Sequence, residues 1–143
     1  MNRFLLFGLL LLPLLAPAQR RTVFSAEAPP PIGPYSQGVL AGNTLYVAGQ
    51  IALVGSTGQL QNANVRAETL QVMNNLAAIL KAADLTFANV VKVTIYLTDL
   101  ADFGAVNAVY AEFFTQNPPA RETVQVAALP RGAKVEISCV AVQ

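Results

Sequence analysis

The chain has 143 residues, with nine Lys plus Arg against eight Asp plus Glu, no His, no Trp and a single Cys. One chain so composed cannot build a His-dependent triad, a zinc site or an internal disulfide. Its near-neutral charge also argues against a protein that grips nucleic acid electrostatically, because that requires clustered Lys and Arg to neutralise several phosphates.

Residues 1–18 read as a secretory signal peptide. Arg3 gives a short cationic start, residues 4–15 are almost wholly apolar, and Ala16-Pro17-Ala18 places small residues at a cleavage site. The apolar run is shorter than the roughly 20 residues a bilayer demands, so cleavage after Ala18 is expected and anchoring is not. Delivery to a periplasm or to the outside follows, with no membrane association after cleavage. Residues 19–143 then form one domain, carrying eight Lys plus Arg against eight Asp plus Glu.

Residues 26–34 hold four of the nine prolines, which favour extended or turning backbone. Gly33-Pro34-Tyr35-Ser36-Gln37-Gly38 leads into a strand at 39–41, a Gly42-Asn43 turn and a returning strand at 44–51. After a polar loop, Asn62 or Asn64 can cap a helix in which Glu68 lies in the first turns, where it suits the dipole. Leu70, Met73, Leu76, Ala77 and Leu80 form the stripe expected to cover the sheet. Residues 90–97 are strongly β-prone and read as a central strand. Asp99 is expected to cap a second helix running to about residue 115, with Phe103, Val106, Tyr110, Phe113 and Phe114 as its buried stripe. Asn107 falls on the same side, and a buried amide must either tie down backbone or face a pocket.

The final segment, residues 118–142, holds two alternating apolar runs either side of Pro130-Arg131-Gly132, hence two strands. Arg121 opens the first; Glu136 lies inside the second between Val135 and Ile137. A carboxylate there must be solvated, paired or used. Cys139 alternates with Val135, Ile137 and Ala141 and reads as a small core residue. The order is βββαβαββ, an α+β domain with one mixed sheet, two helices on one face, and the other face left apolar and in need of a partner. If the last two strands run antiparallel, Glu136 lies level with about Ala127, roughly 20 Å from Arg121 at about 3.3 Å per residue, whether or not another strand intervenes. Two such groups could meet across a subunit boundary but hardly within one chain.

Pro119-Ala120-Arg121 followed by Val135-Glu136-Ile137, the Gly33-Pro34-Tyr35 segment and residues 102–110 together resemble the RidA (YjgF/YER057c/UK114) family of reactive-intermediate deaminases. That resemblance covers nearly all of residues 22–142. It implies a chorismate-mutase-like homotrimer with sites between subunits, and hydrolysis of 2-imino acids or their enamines to 2-keto acids and ammonia without metal or organic cofactor. Arg121 matches the residue that binds the substrate carboxylate, Glu136 the one that orients and deprotonates water, and Tyr35 and Asn107 residues lining the pocket. Thr123 stands where many members have Cys and matches a substrate contact made through the backbone. Ala48 replaces a family Ser, removing a hydroxyl, and Glu122 occupies a position usually small or apolar. The alternative implied is a non-catalytic binder of small carboxylates, with chaperone-like surface behaviour. A ribonuclease activity, attached to some members, fits poorly with a neutral chain lacking His.

Overall fold

A computed structural model describes residues 19–143; the expected signal peptide and its cleavage site lie outside the described residues. Strands β1 (Arg20–Val23), β2 (Gly38–Ala41) and β3 (Thr44–Gln50) precede helix α1 (Val65–Lys81). Strand β4 (Val90–Leu97), helix α2 (Phe103–Phe113), β5 (Ala120–Gln125) and β6 (Val135–Val142) follow, giving the expected βββαβαββ order. All six strands form one mixed sheet in the order β1-β2-β3-β6-β4-β5. Only β4 and β5 run parallel, joined through α2; every other neighbouring pair is antiparallel. The β4 strand is therefore interior but next to the edge, and the edge strand β5 is largely exposed, with Val124 45 % accessible.

Alternation along the strands decides what each face carries. Leu45, Val47, Val93, Ile95, Leu97, Val135, Ile137, Cys139 and Ala141 point towards the helices and are buried. Cys139 is thus the core residue expected, and burial pushes its thiol up to about 12.

Helix α1 starts where Asn64 accepts a hydrogen bond from the Ala67 backbone N–H at 2.9 Å, satisfying one of the donors that a helix start leaves free. Its buried stripe is Val65, Val72, Met73, Leu76, Ile79 and Leu80, together with the polar Glu68, Thr69 and Asn75. Leu70 faces solvent instead, and Glu68, in the first turn as expected, is wholly buried. Polar side chains occupying core-facing positions displaced the stripe from the one apolarity suggests. Asp99 caps a short 3-10 turn, Leu100–Asp102, that runs into α2. Val106, Val109 and Tyr110 are the buried residues of α2, whereas Phe103 is exposed at its start.

The sheet face away from the helices is mixed rather than uniformly apolar. Thr94 and Ser138 sit opposite one another at its centre, and Glu122 accepts a hydrogen bond from the Thr94 hydroxyl at 2.7 Å and pairs with Lys92 at 3.3 Å. Val39, Tyr46 and Val140 stand side by side across β2, β3 and β6 on the same face, and Tyr46 and Val124, 51 % and 45 % accessible, are its most exposed apolar members.

Candidate active site in two halves

Glu136 stands on the open face of the sheet, near the start of β6. It is half-buried, and burial raises its carboxyl above the ordinary 4.5. It lines a cavity of about 320 Å³ with Tyr35, Ala48, Gly49, Ile51, Pro130 and Ile32. The strand pairing explains why Gly49 meets it. Val47 pairs with Cys139 and Gln50 with Ile137, so β3 bulges by one residue at Ala48-Gly49. A Cβ on Gly49 would overlap the Glu136 carboxylate. Gly49→Ala is therefore expected to drive that carboxylate out of its position, lowering turnover at least about tenfold with the fold retained, since misplacing a reacting group by an ångström is that costly; steady-state kinetics beside a circular dichroism melt would check it.

Tyr35 reaches this cavity because the proline-rich segment before it is pinned. The buried Gln37 side chain accepts from the Ser25 N–H at 2.7 Å and donates to the Ser25 and Pro29 carbonyls at 3.1 and 2.8 Å. The Tyr35 hydroxyl accepts from the Ile32 N–H at 3.2 Å, closing the loop on itself. Ala48 lies in the cavity wall, so the missing hydroxyl is missing next to Glu136.

Arg121 belongs to the other face. It pairs with Val93, whose side chain lies under the helices, so alternation directs the guanidinium to the helix side at the β5 edge. There its Cζ sits 4.8 Å from the centre of the Tyr110 ring and 5.7 Å from that of Phe103. Among the described residues no carboxylate pairs with Arg121. Its donors are oriented by stacking on aromatic faces and left free for an anion. Burial pushes the Tyr110 phenol up to about 12, against the lowering effect of Arg121. Asn107 is half-buried on α2, four residues after Phe103 and three before Tyr110, which sets it on the side that carries Arg121. Thr123, two residues along β5, shares Arg121's face, and its hydroxyl is buried without a partner. Glu122 points to the opposite face, occupied by Thr94 and Lys92, so it does not compete for the guanidinium.

The five candidate residues thus fall into two groups: Glu136 with Tyr35, and Arg121 with Asn107 and Thr123. The β4 strand separates them. Tyr96 pairs with Glu136 on one side and Val124 on the other, so Glu136 is level with Val124, not Ala127. Three residues along and two strands across place the Cα atoms about 14 Å apart, closer than the 20 Å expected. The nearer register brings no contact, because the two side chains leave opposite faces of the sheet. Sequence reasoning did not mark Gly49, Gln37 or the Phe103–Tyr110 cradle as parts of the site. A glycine inside a strand, a signal of close approach, was the clue to the first.

The sequence profile of the Endoribonuclease L-PSP family matches residues 25–143. The chain belongs to this family. Over 124 residues it is 49 % identical to human 2-iminobutanoate/2-iminopropanoate deaminase, covering 87 % of this chain and 90 % of that one. Among solved structures, the YjgF gene product of E. coli superposes with a TM-score of 0.82 at 43 % identity, covering 86 % of this chain and 98 % of the other. E. coli TdcF, solved with bound serine, gives 0.83 at 38 % identity with the same coverages. The fold expected from the RidA resemblance is the fold of these relatives.

Proposed function

We propose that this protein is a cofactor-independent deaminase of 2-imino acids, and that its site forms where the Arg121 face of one copy meets the Glu136 cavity of another in a homotrimer. The observation that carries this is the division made by the sheet: among the described residues, the Arg121 guanidinium on one face pairs with no anion and the Glu136 carboxylate on the other pairs with no cation. Each half lacks what the other holds.

In the assembled site, Arg121 binds the substrate carboxylate through two parallel charge-assisted hydrogen bonds. Glu136 accepts a proton from a water that attacks the imine carbon; burial, by raising its basicity, suits it to that task. The water adds to the protonated imine as hydroxyl; Glu136 passes its proton to the nitrogen of the carbinolamine, and as the C–N bond breaks the hydroxyl proton returns to Glu136, leaving ammonia and the 2-keto acid. Asn107 and Tyr35 border the substrate from the two sides, and Thr123 contacts it through its backbone. The substrate class is carried over from the human relative's name, and the 49 % identity supports the transfer. Hydrolysis of 2-iminopropanoate generated in situ by an amino-acid oxidase tests it, with faster ammonia release expected in the presence of residues 19–143. No acceleration by folded protein would favour a second reading, a carboxylate-binding protein without turnover, for which Ala48 in the cavity wall speaks. Export is proposed on residues 1–18 alone, and a mature N-terminus at Gln19, read by mass spectrometry, would support it.

A further inference from the structure

Of the three polar residues on the interior face of α1, Thr69 bonds only within its own helix, and the other two reach beyond it without touching the proposed chemistry. Glu68 is completely buried. One carboxylate oxygen accepts a single hydrogen bond, from the Lys134 backbone N–H at 2.8 Å, and the other has no partner. An ionisable group buried with so little compensation works against stability, and such violations of packing logic concentrate where position matters to function. Two turns further on, the buried Asn75 donates to the carbonyls of Ile51 and Leu53 at 3.1 and 2.9 Å, while its own oxygen accepts from Gln71 at 2.9 Å.

These bonds reach two segments at one end of the sheet. Because β3 and β6 are antiparallel, the residues that leave β3 and those that enter β6 lie side by side. Ile51, whose carbonyl Asn75 holds, is one wall of the Glu136 cavity. Lys134 stands between Pro130, another wall, and Glu136 itself. Its peptide is clamped from both sides, N–H to Glu68 and carbonyl to the Thr98 N–H at 3.1 Å. Just upstream, Arg131 adopts a left-handed φ of 61°, a conformation that costs a non-glycine residue energy and needs holding.

We propose that Glu68 and Asn75 are positioning residues: from one helix they fix the two backbone segments that wall the Glu136 cavity, and so set where the carboxylate stands. The proposal rests on the deaminase reading for its kinetic consequence but not for its geometry. In the full-length mature protein, Glu68→Leu and, separately, Asn75→Ala should each lower kcat about tenfold or more while leaving KM within about threefold, because Arg121 still holds the substrate carboxylate. Glu68→Gln keeps an oxygen for the Lys134 N–H and should recover most of the lost rate. Val72→Ala, buried on the same helix but in the main apolar cluster and not in the one that holds Ile51, Leu53 and Ala133, should lower the melting temperature without the kcat loss. The proposal is overturned if Glu68→Leu and Asn75→Ala fold with the parent kcat, or if Val72→Ala loses kcat in parallel. Should the parent hydrolyse no imine, the deaminase reading falls, and the ¹³C titration of the Glu136 carboxyl decides the geometry alone. A midpoint that drops towards the ordinary value in Glu68→Leu supports positioning, and an unchanged midpoint refutes it.

Discussion

Glu136→Gln is expected to lower kcat by about 10² to 10⁴, the usual contribution of a placed general base, while KM changes little. The amide keeps the size of the side chain and its fit over Gly49, so the loss would be chemical and not steric. The pH profile separates the two further. Burial raises the Glu136 carboxyl above 4.5, so the basic form, and with it kcat/KM, should rise with pH through a midpoint above that value. This limb should disappear in the variant. Stability moves the other way. A carboxyl whose folded-state affinity for protons is raised favours the fold fully at pH below its unfolded value and loses that contribution as pH rises through the folded one. At neutral pH the ionised group is a cost, so the amide should melt no lower than the parent. A variant melting well below the parent would mean that the carboxylate is structural.

Arg121→Ala should act on binding and rate together. Losing two charge-assisted hydrogen bonds to a substrate carboxylate costs about 3–4 kcal/mol, or about 10² to 10³ in kcat/KM. The fold should hardly notice. Arg121 is exposed on an edge strand and has no ion pair among the described residues, so only stacking on Tyr110 and Phe103 is lost, about 0.5–1 kcal/mol at such a site. Arg121→Lys should recover only part of the rate, since an ammonium neither grips a carboxylate bidentately nor stacks as a plane. Full activity in Arg121→Ala would remove the residue from the site.

Much of this was legible from local pattern. Alternation named the strands, Asn64 marked the start of α1, and the Pro-Ala-Arg and Val-Glu-Ile segments with Gly-Pro-Tyr pointed to the family. What local pattern does not hold is which strands become neighbours. The runs around Arg121 and Glu136 look like a hairpin in the sequence, yet β4 pairs with both, and the register that matters passes through Tyr96. The faces were harder still. The mixed polarity of the open face follows from Thr94 meeting Ser138 across the ladder, and the exposure of Leu70 from Glu68, Thr69 and Asn75 taking interior positions on α1. Hydrophobicity ranks residues singly and does not anticipate a buried carboxylate tied to a backbone N–H 66 residues further along the chain, just before β6. Nor does it show that Gly49 is small because Glu136 needs the room.

The division of the site between two copies is tested most directly by mixing its two failures. Arg121→Ala and Glu136→Gln, each at least about a hundredfold impaired alone, can be co-expressed with different tags and the doubly tagged oligomers purified. Sites built from two copies would regain both groups at one of the three boundaries of every mixed trimer, restoring about a third of the parent activity. Doubly tagged oligomers no more active than either variant would contradict the shared site and return both residues to a single chain.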